Sequence, residues 1–190
     1  MINAFTENRD FIDHDFSNQN LSNLEFDNCS FTNCSFQNSD LTKTGFLECS
    51  FTDCDFSLAK LLQTGFKEVH FKTCKLLGMQ FALCNTFLLE MQFDDCVLDL
   101  SSFYKLPLKA ISFNKCSLKE VDFTEANLNS ARFDNCDLLR AIFEKTNLEK
   151  ADFRTAINYQ IDPEINKVRK AKFSRNGLAP LLFKYDLIVE

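Results

Sequence analysis

Nine cysteines, two histidines and several closely spaced carboxylates are the residues of this 190-residue chain that could do chemistry. Thiols spaced C-x-x-C, or set against histidines, hold zinc, a thiol beside an imidazole becomes a nucleophile, and paired carboxylates share a proton or a cation. No C-x-x-C and no Cys-to-His zinc spacing occurs here. Neither His14 nor His70 has a Ser or Cys nucleophile at a recognisable spacing, and both read as structural. The pairs Asp13 with Asp15, Asp53 with Asp55 and Asp94 with Asp95 become catalytic or metal-binding only inside a cleft. G-x-G-x-x-G, Walker A, G-x-S-x-G and H-E-x-x-H are all missing, and four glycines are too few for a phosphate cradle. The expectation is a protein without catalytic residues, metal, cofactor or small-molecule substrate.

The cysteines have a different regularity. Cys29, Cys34, Cys49, Cys54, Cys74, Cys96, Cys116 and Cys136 each stand two residues before a Phe or Leu, and those Phe and Leu recur every five residues. The ladder runs without a miss from Phe11 to Phe81, slips by two residues, and resumes from Leu88 to Phe153. A period of five suits neither a helix, at 3.6, nor a plain strand, at 2, so the chain must turn about once per repeat. Side chains two apart on an extended segment face the same way, so the large Phe/Leu column and the small Cys/Ser/Thr/Ala column share one interior. Cys84 sits where the small column would continue before the slip. The thiols therefore read as small core residues. The other three positions of each unit are mostly polar and face water.

Units such as CSFTN, SDLTK, CDFSL, VDFTE, ANLNS, ARFDN and ADFRT resemble the pentapeptide-repeat family, over residues 11 to 153. The resemblance implies an all-β solenoid, a right-handed quadrilateral parallel β-helix with four pentapeptides per coil. Leu21, Leu41 and Leu61 repeat at 20 residues, as stacked coils require, and the ladder is long enough for about seven to eight coils. Residues 1–173 are expected to form the β-helix, with the slip between Phe81 and Leu88 and an irregular last coil over 154–173.

Charge is unevenly distributed. Net charge is −6, which argues against direct nucleic-acid binding. No apolar run is long enough to span a bilayer, and the N-terminus has no basic or apolar targeting segment, so a cytoplasmic location without membrane contact is expected. Residues 1 to 58 carry ten acids against Arg9 and Lys43, a net −8. The acids include Asp10, Asp13, Asp15, Glu25, Asp27, Asp40, Glu48, Asp53 and Asp55. Two readings stand: a solubility device that also protects an open β-helix end, or a carboxylate array that imitates DNA phosphates. Near the slip, outward positions are apolar: Leu83, Phe87, Leu89, Val97, Leu100 and Tyr104, with Leu47, Leu58, Leu62 and Leu77 upstream. They form either a contact patch or a bulge folded on itself.

After Phe153 the repeat decays, and residues 174–190 are expected to form a short C-terminal α-helix and tail. Pro180 suits the first turn of a helix that begins near Leu178. Leu178, Leu181, Leu182, Phe183, Tyr185, Leu187, Ile188 and Val189 then cap the last coil, meet a second subunit, or both. The segment KFSRNGLAPLLFKYDLIVE resembles the C-terminus of Qnr-type quinolone-resistance proteins. That resemblance implies a homodimer joined through the C-termini that binds DNA gyrase or topoisomerase IV and protects it from quinolones. It lacks the two projecting loops of Gram-negative members of that group, since the ladder shows only a two-residue slip. The alternative is a repeat scaffold whose partner is not a topoisomerase.

Overall fold

The computed structural model describes residues 4–187, and the chain in it winds as a square coil. The first face carries β1 (Phe5–Glu7), β3 (Glu25–Asp27), β5 (Gly45–Leu47) and β7 (Gly65–Lys67), paired in that order. On the second lie β2 (Asp10–Ile12), β4 (Ser30–Thr32), β6 (Ser50–Thr52), β8 (Val69–Lys72), β9 (Met91–Asp94), β10 (Ser112–Asn114) and β11 (Arg132–Asp134). All pairs are parallel and in register, Phe11 on Phe31, Phe31 on Phe51 and so onward. The third and fourth faces are held by single bridges, such as Asp15 to Ser35 to Asp55 and Asn20 to Asp40 to Lys60.

Stacked coils place like on like. Phe11, Phe31, Phe51, Phe71, Phe93, Phe113, Phe133, Phe153 and Phe173 form one file of rings, with successive centroids from 4.7 to 5.4 Å apart and nearly parallel planes. The file on the fourth face, Phe103 stacked with Phe123, meets this one edge to face at Phe113. The interior is thus a continuous aromatic column along the rod.

The small column has a hydrogen-bonding task as well as a steric one. The hydroxyls of Thr44, Thr64 and Thr146 donate to the carbonyls of Leu21, Leu41 and Phe123 in the preceding coil, at 2.8, 2.7 and 2.9 Å. Cysteines occupy equivalent places, with Cys34 Sγ 3.4 Å from the Phe11 carbonyl and Cys116 Sγ 3.5 Å from that of Phe93. A donor there adds a second hydrogen bond to carbonyls that already accept the turn amides of Leu24, Thr44 and Ala126. All nine cysteines are buried and unpaired. Burial pushes the Cys84 thiol up, and that of Cys49 up to about 12.

Most corners are made by a left-handed residue, one in each pentapeptide from Asn8 (φ 52°) to Gly78 (φ 67°) and from Asp95 (φ 54°) to Lys150 (φ 60°), with Leu88, Asn158 and Lys170 outside those runs. Asn and Asp tolerate this conformation best, and they fill it in the first coils, at Asn8, Asp13, Asn18, Asn23, Asn28, Asn33 and Asn38. Later coils use Leu58, Thr73, Leu100 and Ala110, which adopt it at a cost. The side chains of Asn28, Asn33 and Asn38 each bond the residue one coil below, Asn8, Asp13 and Asn18, all at 2.7 Å.

The slip falls on the first face. Asn85 pairs with Gly65, 20 residues earlier, but Met91 pairs with Val69, 22 earlier, so both extra residues lie between Asn85 and Met91. Here the five-residue ladder misplaces one side chain. Leu88, expected inside, is 65% exposed with φ 54°, because the insertion turns it outward. Leu89 instead lies partly buried against the core.

Past Phe153 the chain makes one more circuit. Asn147 and Asp152 bridge to Lys167 and Lys172, while buried Tyr159 fills the interior and donates its hydroxyl to the Gly177 carbonyl at 2.8 Å. A short C-terminal helical segment follows, though not as one α-helix from Leu178. It is a run of 3-10 turns, Arg175–Gly177, Ala179–Leu181 and Phe183–Tyr185. Ser174 caps the first through a 3.1 Å bond to the Gly177 amide, and Pro180, lacking an N–H, sits in the opening turn of the second.

Candidate protein-interaction surfaces

The acidic residues of the first coils lie on all sides of the rod. Glu25 and Asp27 are on the first face and Asp10 on the second, with Glu48 at the corner between them. Asp13 and Asp53 occupy the next corner, with Asp15 and Asp55 beside them on the third face, while Asp40 stands alone on the fourth. The register therefore gathers Asp13, Asp15, Asp53 and Asp55 along one edge, Glu25, Asp27 and Glu48 beside Asp10 along another, and leaves Asp40 apart.

Partners lower the carboxyl pKa of Asp15, Asp40 and Asp55. The Ser17 side chain and amide keep the Asp15 carboxyl below the usual carboxylate range. Thr42 does the same at Asp40. Burial pushes Asp55 up, but Ser57, Gln37 and Lys75 more than offset it. Asp13 accepts from Asn33, and Asp10 from the Ser30 hydroxyl at 2.5 Å. Within this end His14 lies against Phe11 and Phe16, with its Nδ1 2.9 Å from the Ile12 carbonyl, and the Arg9 guanidinium lies 5.1 Å from the Phe11 ring centre.

The apolar candidates divide between two places. Leu58, Gly78 and Leu100 share one column at the corner between the third and fourth faces, all with left-handed backbone. Val97 and Leu77 flank that column on the third face, and Leu62 and Tyr104 on the fourth. Phe87 and Leu89 belong to the bulge on the first face, where the Phe87 ring stands 5.3 Å from Lys67 Nζ and is 66% exposed. Leu83 sits between the two groups, at the end of a single 3-10 turn, Phe81–Leu83. Exposed apolar side chains thus lie at both places, while Leu89 alone of the bulge residues 86–89 packs partly onto the core.

At the other end, Leu181 packs against the core, whereas Leu178, Leu182, Phe183, Tyr185 and Leu187 are exposed. Ile188 and Val189 lie outside the described residues. Lys184 ties this segment to the last coil through Asp162 at 3.0 Å and Glu164 at 2.5 Å.

His70 has a structural partner, as its sequence context predicts. It lies on the second face with Nε2 2.5 Å from Asp94, which also accepts from Asn114 at 2.8 Å. No group of three or more metal-ligating side chains occurs among the described residues. No helix among them is long and apolar enough to cross a membrane.

No curated protein sequence matches this chain. Among solved structures, the full-length QnrB1, a plasmid-mediated fluoroquinolone resistance protein, is similar at a TM-score of 0.51 and 16% identity, covering 96% of this chain and 100% of that one. HetL, a pentapeptide repeat protein involved in heterocyst differentiation regulation from the cyanobacterium Nostoc, gives 0.56 at 14% identity over 91% of this chain and 89% of its own. At such identity the likeness is one of fold. The family model for the pentapeptide repeat region matches residues 24–92 and 87–183, nearly the whole solenoid. With one core Phe or Leu per five residues and coils stacked in register, the chain belongs to the pentapeptide-repeat family.

Proposed function

We propose that this protein is a non-catalytic DNA mimic that binds a type II topoisomerase, DNA gyrase or topoisomerase IV, through its acidic N-terminal coils. The supporting observation is charge density. Residues 5 to 58 rise roughly 13 Å along the axis at about 4.8 Å per coil. They carry ten carboxylates against two bases. That is one net charge per about 1.6 Å, against about 1.7 Å for the two strands of B-DNA. A channel lined to receive DNA phosphates would meet a similar field at this end of the rod. Protection from quinolones and residence in the cytoplasm beside the topoisomerase belong to the same reading. The exposed side chains of Leu182, Phe183 and Tyr185 supply a contact through which two rods join end to end.

The test is a gyrase supercoiling assay, titrated with this protein at two salt concentrations, with and without a fluoroquinolone. Salt-sensitive inhibition, or rescue of drug-blocked activity, supports the reading; no effect on gyrase or topoisomerase IV refutes it. A second reading follows from the apolar corner around Gly78, where Leu58, Leu77 and Leu100 are exposed together. There the protein is a scaffold for a partner other than a topoisomerase, and partner binding is lost on Leu100→Asp but hardly changes with salt.

A further inference from the structure

The corner between the first and second faces changes sign along the rod. Its N-terminal part presents Glu7, Glu25, Asp27, Glu48, Glu68 and Glu90, none of which is in an ion pair among the described residues. Lys67 and Arg9 are the bases nearby. The C-terminal part presents Lys109, Lys150, Lys167 and Lys170, likewise without ion pairs among the described residues, together with Arg132 and Arg169. Three acids lie among them, and all are already engaged, Glu149 by Arg169 at 3.4 Å, Asp152 by Arg154 at 2.7 Å and Asp134 by Arg132 at 4.0 Å. The bulge that carries exposed Phe87 and Leu88 stands where the sign changes.

We propose that this edge is a self-complementary surface on which a second copy of the chain lies side by side and antiparallel. The backbone register fixes how the two would align. Coils on the first face follow one another from 5 through 25, 45, 65 and 85 to 107, 127, 147 and 167. A two-fold axis between the coil at 85 and the coil at 107 sets Glu25 and Asp27 against Lys167, Arg169 and Lys170. It sets Glu48 against Lys150, and Glu68 against Arg132. Phe87 then faces a depression beside the partner copy's bulge, lined by Leu89, Met91 and Ile111 together with the polar Glu90, Lys109 and Arg132. An exposed ring seated among mixed apolar and charged groups, with charged flanks on either side, fits a polar interface, and a two-fold axis makes each contact twice. A strip this narrow belongs with transient interfaces, below about 1,200 Å² in total, so its strength should depend heavily on the charges. The inference goes beyond the topoisomerase reading and does not depend on it.

Sedimentation velocity of the full chain at about 20 mM and about 500 mM salt tests the pairing, because the Debye length falls from roughly 20 Å to roughly 4 Å between them. The same runs on Leu182→Asp remove end-to-end contact through the tail. The expected result is a dimer at low salt whose dissociation constant rises at least about tenfold at high salt. Lys150→Glu with Lys170→Glu, and separately Glu25→Lys with Glu48→Lys, each give monomers, while an equimolar mixture of the two double variants regains a dimer. A mixture that stays monomeric while both variants keep the wild-type circular dichroism overturns the proposal. A salt-independent dimer in the Leu182→Asp protein overturns it too, as does a mass that grows past two with concentration, which would mean parallel, staggered filaments.

Discussion

Replacing Leu58 by Asn should stabilise the rod. Leu58 is 78% exposed and has φ 63°, so it contributes little burial and occupies a conformation that costs an ordinary L-residue roughly 1 kcal/mol. Asparagine reduces that cost by about half, since its short amide bonds locally in this region. One coil below in the same column, Asn38 already donates to Asn18 at 2.7 Å. A further asparagine above extends this ladder by one hydrogen bond, worth about 0.5 kcal/mol at an exposed site. The two terms sum to about 1 kcal/mol, which for a domain of this size raises the melting temperature by about 2 to 4 °C. Urea unfolding followed by circular dichroism measures the gain, with Leu58→Ala as control, because alanine removes the same apolar surface without easing the corner. If Leu58→Asn proves no more stable than Leu58→Ala, left-handed corner strain is not what limits the later coils.

Other outcomes follow from the core and from the last coil. Phe113→Ala should cost about 3 to 5 kcal/mol in urea unfolding, since the ring is fully buried and stacked at 5.3 Å on both Phe93 and Phe133. Asp152→Asn should cost about 1 kcal/mol at neutral pH, because the guanidinium of Arg154 holds the Asp152 carboxyl below its ordinary value of 3.8 despite burial. A depressed folded value stabilises above the unfolded one and loses that contribution as pH falls through it. The gap between Asp152→Asn and wild type in thermal unfolding should therefore narrow as pH falls below the ordinary carboxyl value of 3.8. Leu182→Asp with Phe183→Asp should abolish end-to-end dimers in size-exclusion chromatography and leave the β spectrum unchanged, because both side chains point away from the core.

Much of this architecture was legible because one spacing recurs so often. Phe and Leu at every fifth position, with small residues two earlier, identify the inside of the coil without any knowledge of strands. Phe31, Phe51 and Phe71 then stack simply because 20 residues complete a circuit. The corners were harder to read. Their left-handed backbone is marked by Asn in the first coils, but Leu58, Lys105 and Ala110 conform only because stacked neighbours impose it. Leu88 was misplaced for a related reason: alternation cannot say on which side of a turn two extra residues are absorbed, and the pairing of Met91 with Val69 decides it. In the tail, helical spacing of leucines could not distinguish α from 3-10 turns, which Pro180 and the Ser174 cap settle locally. The acidic residues were visible as a count, whereas their spread over four faces required the coil register. The acidity of the first coils shows in the linear count, whereas the alignment of Glu25 and Glu48 with Lys150 and Lys170 along one corner is a property of that register.

The central claim is that the acidic coils take the place of DNA on a type II topoisomerase. Displacement of a fluorescent DNA duplex from gyrase by this protein tests it most directly, run beside a variant with Asp13, Asp15, Asp53 and Asp55 all changed to Asn. The account predicts competitive displacement that weakens steeply with salt and falls at least about tenfold in the variant. Displacement by wild type and variant alike, or gyrase that keeps its DNA at low salt in the presence of excess protein, would contradict it.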